Sequence, residues 1–233
     1  MKLIASFCCL TLAIVELSAC HKSAPFDPAL ASSFFPLRPG LTWTYRVVDK
    51  SQKSPQIFTD HAMVGEERVG TAQTAGGVVA EYSGSDGESD LTIRYKVEDG
   101  YMTRLLSLRD GRRILSQERG FLPRLLEPDL TWSNSLSPVG QFVEGFHITQ
   151  THRTYLEAGV MQVPAGHYSN CIRIETEAVY KNDLSHNAGI RRLRYVDWYA
   201  PNVGLIKTVV SESGFFGAEI GSVELLSFSN SPR

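Results

Sequence analysis

Apolar and polar residues alternate along most of this chain with a period of two, the mark of strands that bury one face. In 41–48, Leu41, Trp43, Tyr45 and Val47 alternate with Thr42, Thr44 and Arg46. Runs at 57–64, 77–82, 91–97, 101–108, 113–117, 146–153, 204–210 and 222–228 read the same way, the last tying down the C-terminus. Asp99-Gly100 and Asp110-Gly111 fall between runs as hairpin signals. No stretch after residue 20 sustains a helical period. The pattern predicts an all-β body: a curved antiparallel sheet, half-barrel or sandwich-like.

The order of the runs suggests two pseudo-repeated halves, 34–120 and 121–233. Pro39-Gly-Leu-Thr-Trp43 is echoed by Pro128-Asp-Leu-Thr-Trp132, each after a Phe-Pro or Phe-Leu-Pro lead-in. Thr59-Asp-His61 follows the first and Thr151-His152 the second. Arg94-Tyr-Lys-Val97 likewise parallels Arg194-Tyr-Val-Asp197, each before a turn and an apolar run. Either an internal duplication or the reuse of common corner residues would give this order.

Two blocks stand out. Val163-Pro-Ala-Gly-His-Tyr-Ser-Asn-Cys171 and Trp198-Tyr-Ala-Pro-Asn-Val-Gly-Leu-Ile-Lys207 each read as strand, tight turn, strand. Pro164, Gly166, Pro201 and Gly204 supply fixed or positive φ at the corners. With the lead-in Phe35-Pro-Leu-x-x-Gly-Leu-Thr-Trp-Thr-Tyr45, these blocks resemble an uncharacterised bacterial lipoprotein family. The resemblance implies a curved β domain in the cell envelope and carries no assigned reaction.

The N-terminus changes where the protein is expected to live. Residues 1–19 hold Lys2 and then an apolar run too short to span a bilayer, the proportions of a signal peptide. Leu17-Ser-Ala-Cys20 resembles the bacterial lipobox, which implies cleavage before Cys20 and acylation of that residue (palmitate among the chains). Two or more acyl chains hold a protein stably on a membrane. Residues 20–33, Pro-rich and polar, read as a lipidated tether leading to a single domain over 34–233. His21 in place of Asp after the cysteine implies sorting to the outer membrane, with the domain facing the periplasm.

Losing Lys2 and Glu16 with the signal leaves the net charge at −2. A near-neutral body excludes nucleic acid as a partner class. Of four cysteines, Cys8 and Cys9 leave with the signal and Cys20 takes lipid, so Cys171 remains as a single thiol. It sits in an apparent strand, where a small buried hydrophobe is the simplest reading.

Candidate chemistry is thin. His61, His147, His152, His167 and His186 lack the spacing of a metal motif, and the odd separation of His147 and His152 sends them to opposite faces of a strand. Asp86-Gly-Glu-Ser-Asp90 departs from a calcium loop at its sixth and twelfth positions, Leu91 and Val97. No nucleophile elbow is present. Glu175 and Glu177 share a strand face that reads as solvated. The arginine clusters 104, 109, 112, 113, 119 and 191, 192, 194 read as edge protection or an anion surface. Trp43, Tyr45, Trp132, Trp198 and Tyr199 are core residues first, although a curved sheet with them inside could hold a lipid in its mouth. The expectation is a non-enzymatic envelope lipoprotein, with no cofactor and no metal. It would bind a lipid, a glycan or a protein partner. The alternatives are an assembly accessory of an envelope complex and an envelope hydrolase.

Overall fold

The computed structural model describes residues 31–38, 40–51, 53–64, 78–84, 91–98, 101–108, 114–138, 146–156, 158–182, 190–213 and 217–230. Residues 1–19, read as a signal peptide, lie outside them with Cys20 and His21, as do Asp86 to Asp90 and His186.

The first half supplies β1 (Leu41–Asp49), β2 (Gln56–Val64), β3 (Val78–Gly84), β4 (Leu91–Glu98), β5 (Tyr101–Leu108) and β6 (Ile114–Pro123). The second supplies β7 (Thr131–Pro138), β8 (Phe146–Tyr155), β9 (Met161–Val163), β10 (Gly166–Tyr168), β11 (Ile172–Asn182), β12 (Ile190–Ala200), β13 (Gly204–Glu212) and β14 (Glu219–Asn230). The all-β, curved antiparallel expectation holds. The pairings also run further round than a half-barrel needs, since β1 pairs with β14 on one side and β2 on the other, so the ladders trace a closed ring. β9 and β10 form a separate small hairpin.

Both expected corners are built from positive φ. Gly166 has φ 138° and Gly204 φ 99°, and Asn202, at φ 57°, shares the second corner. A Cβ at Gly204 would make only ordinary contacts, 3.5 Å to Pro36 and 3.7 Å to the Trp43 indole nitrogen, so the positive φ rather than space favours glycine there.

Ala31 and Ser33, within the stretch expected to be tether, are packed against the body. Ala31–Phe34 forms one short helix, α1, with Ala31, Ser33 and Phe34 buried. Four residues are too few to show a period in sequence, so packing rather than propensity sets this boundary. The Ala31 N–H donates to Arg124 C=O (3.0 Å) and the Asn202 N–H to Ser33 C=O (2.7 Å). The segment thereby crosses one end of the ring, from the exit of β6 to the turn between β12 and β13. Phe35 packs there edge-on against Phe121 (5.6 Å) and beside Tyr199 (6.4 Å).

The two echoed segments adopt one geometry. Gly40 (φ 87°) and Asp129 (φ 60°) hold equivalent left-handed corners. Their N–H groups donate to Val64 and Thr154 C=O, each at 3.0 Å. The hairpins β1–β2 and β7–β8 follow, with Trp43 opposite Ala62 and Trp132 opposite His152. The structural echo of His152 is therefore Ala62, while His61 lies one residue away, opposite Thr44. Arg94 and Arg194 likewise fall on the fourth ring strand of each half, β4 and β12.

Candidate functional site

The interior is dry at one side of the ring and hollow at the other. On the β1 side, Leu41, Trp43, Tyr45, Ala62, Val64, Ile206 and Leu225 form one buried cluster. Its polar tips are satisfied: Trp43 Nε1 donates to Val203 C=O (2.6 Å) and the Tyr45 hydroxyl to Leu205 C=O (3.1 Å). On the β7 side, Trp132, Ile172, Ile174, Tyr199 and Leu122 form a second cluster. Beside it opens a cavity of about 330 Å³, near the small end of the roughly 300–1,000 Å³ range of ligand sites.

Strand alternation puts the lining where it is. Ile148, Gln150, His152 and Thr154 are the buried phase of β8, with Thr149, Thr151 and Arg153 exposed. In β11 the inward phase is Ile172, Ile174, Thr176, Ala178 and Tyr180. The register then carries this face across β12 through Tyr195 opposite Thr176 and Asp197 opposite Ile174. Six of the sixteen lining residues are polar or charged (Glu118, Gln150, His152, Thr176, Asp197 and Thr208) and three more are tyrosines, unlike an ordinary sheet core.

Most of these groups hold one another. The Tyr180 and Tyr195 hydroxyls meet at 2.6 Å. Burial, and then that hydrogen bond, pushes the Tyr195 hydroxyl well above its ordinary value, so it stays protonated. Thr208 donates to Asp197 Oδ1 (2.7 Å). His152 Nδ1 and the Thr176 hydroxyl lie 2.7 Å apart, and the Trp132 ring stacks on His152 at 4.7 Å between centroids. Asn134 donates to Glu118 Oε1 (2.9 Å) and Gly120 C=O (3.1 Å). Among the described residues, Arg173 Nε on β11 and four buried polar atoms of β7 and β8 have no hydrogen-bond partner, the four being Trp132 Nε1, Gln150 Oε1, Asn134 Oδ1 and Thr154 Oγ1. Leaving such groups unmatched costs about 1–3 kcal/mol each. The four share one hairpin, β7–β8.

The aromatic set named from the sequence is divided by the fold. Trp132 and Tyr199 line the cavity, whereas Trp43 and Tyr45 seal the dry side and Trp198 is only partly buried. Cys171 is fully buried as expected; burial pushes its thiol up, and it donates to Tyr168 C=O at 3.4 Å. His61 and His167 are exposed. Glu175 pairs with Arg194 (2.8 Å) and Arg173 (3.3 Å) on the outer face, which Glu177 shares. Arg191 and Arg192 are exposed. The side chains of Arg104, Arg119 and His147, and the whole of Arg109, Arg112 and Arg113, lie outside the described residues.

Sequence reasoning passed over Glu118, Gln150, Thr176, Tyr180, Asp197 and Thr208. The available signal was phase: each falls in step with buried apolar neighbours on its strand or on the strand beside it.

No family model matches this sequence, and no curated protein does. Two crystal structures share its fold. One is a candidate exported protein with a YmcC-like fold from Bacteroides fragilis NCTC 9343, at 15% identity and a TM-score of 0.54. The other is a candidate lipoprotein from Parabacteroides distasonis ATCC 8503, also at 15% identity, with a TM-score of 0.55. Each match covers 87% of this chain and 100% of the other. The likeness extends over nearly the whole described body.

Proposed function

We propose that this chain is a lipid-anchored envelope protein that binds, without transforming, a small ligand inside its ring. The carrying observation is the cavity of about 330 Å³, lined by six polar or charged residues among sixteen, with two lining residues, Trp132 and Gln150, each holding a buried atom without a hydrogen-bond partner. Anchorage rests on Leu17-Ser-Ala-Cys20, and His21 favours the outer membrane with the domain facing the periplasm. The two fold neighbours, a candidate exported protein and a candidate lipoprotein, are in keeping with an envelope setting. The ring pairs every one of its strands on both sides over part of its length and leaves β6 and β7 unpaired with each other only beyond Glu118, which weighs against assembly through strand addition.

Two measurements test this. Mass spectrometry of the mature protein should find an N-terminal acylated Cys20, and Cys20→Ala should accumulate as a precursor with Met1 intact; normal maturation of that variant would end the lipoprotein reading. Native mass spectrometry should find a small molecule at about one per chain. Leu136→Trp, which fills the cavity wall, should lose that molecule while still unfolding cooperatively.

A further inference from the structure

The cavity's chemistry narrows what can enter it. We propose that its ligand is a neutral, hydroxyl-rich molecule, a sugar unit of one or two rings; this rests on the cavity being the binding site.

Charge argues first. The described lining includes two carboxylates, Glu118 and Asp197, and no lysine or arginine. Among the described lining residues, a fatty-acid carboxylate or a phosphate headgroup would meet these carboxylates and no lysine or arginine. Hydrogen-bonding direction argues second. Trp132 and Gln150, 7% and 9% exposed, both line the cavity, and each holds an atom without a partner. The indole N–H can only donate, whereas the amide oxygen can only accept. An anion satisfies the first and not the second, and a quaternary ammonium satisfies neither. A hydroxyl serves both. The two residues are diagonal neighbours on β7 and β8, because Trp132 opposes His152 and Asn134 opposes Gln150. That separation is roughly 7–8 Å, a span that two hydroxyls of one sugar ring can bridge when the side chains turn toward it.

Shape argues third. Phe121, Trp132, Tyr180, Tyr195 and Tyr199 set flat rings among the polar groups. A pyranose has C–H faces to lay against such rings and a rim of hydroxyls for Thr176, Thr208 and Asp197. A long acyl chain makes no use of that rim, and it leaves the Trp132 N–H and the Gln150 amide oxygen unmatched.

The test uses the mature protein in lipid nanodiscs. Saturation-transfer NMR is run with glucose, galactose and N-acetylglucosamine, and separately with oleate and choline. At least one sugar should give a signal, and Leu136→Trp should abolish it. Trp132→Phe keeps a ring and removes only the N–H, so it should weaken the same sugar about tenfold while leaving the thermal midpoint within a degree or two. Silence from all three sugars overturns the proposal, as does a sugar signal that Leu136→Trp leaves intact. If oleate or choline alone gives a signal sensitive to Leu136→Trp, the cavity stands as a binding site and the sugar assignment falls.

Discussion

The hairpins β1–β2 and β7–β8 start from the same corner and end in opposite interiors. Each opens with a left-handed residue after proline, Gly40 or Asp129, and each carries a buried tryptophan at the third position beyond it. From there the sequences part. Tyr45, Ala62 and Val64 in the first correspond to Asn134, His152 and Thr154 in the second. Trp43 has an acceptor at 2.6 Å, and Trp132 has none. An identical backbone has been filled once as core and once as the wall of a hollow. The backbone scaffold therefore does not determine the site; six or so inward side chains do.

The sharpest way to break this contrast is to truncate both tryptophans. Trp43→Ala should cost about 3–5 kcal/mol, because its neighbours are close-packed and its indole is hydrogen-bonded. Trp132→Ala should cost distinctly less, because its surroundings already border empty space. Urea unfolding of the two variants decides it, and equal losses would mean the sides do not differ in packing. An exchange one turn along the same hairpins is the next largest. Val64→Thr should destabilise by about 1–3 kcal/mol by burying a hydroxyl among apolar atoms. Thr154→Val should be neutral or stabilising by up to about 1 kcal/mol, since the Thr154 hydroxyl has no partner to lose. If Thr154→Val destabilised by more than that, the polar side would be a satisfied core. Smallest is the corner itself: Gly40→Ala should cost about 1 kcal/mol through its positive φ, whereas Asp129→Gly should stay within a few tenths. Thermal midpoints of the pair would reveal whether the two corners are as alike in energy as they are in geometry.

Much of the frame can be read in the sequence, and the hollow cannot. β5 runs from Tyr101 to Leu108, as its alternation says, and the corners at Gly166 and Gly204 carry the positive φ their residues permit. The strand expected over 113–117 continues instead to Pro123, because Gly120, at φ 69°, bends the strand without ending it. β7 was harder still. In Thr131-Trp-Ser-Asn-Ser-Leu-Ser-Pro138 only Trp132 and Leu136 are large and apolar, too sparse an alternation to announce a strand. Asn134 and Gln150 look like solvent-facing residues until the register shows that their phase is the buried one. A period of two tells which residues share a face and is silent about what that face encloses. Only the closing of the ring makes a polar phase into a lining.

That closure is uneven. The halves meet along β14–β1 through nine opposed residue pairs, whereas β6 and β7 meet through three, Ser116–Pro138, Gln117–Ser137 and Glu118–Leu136. Beyond Glu118 the backbone ladder stops, and the Asn134 amide takes over as a single clasp to Glu118 and Gly120. Two of the residues at this short seam, Glu118 and Leu136, already face the cavity. Of the two junctions between the halves, this one is held by the fewer backbone pairs, and it is the one that borders the cavity.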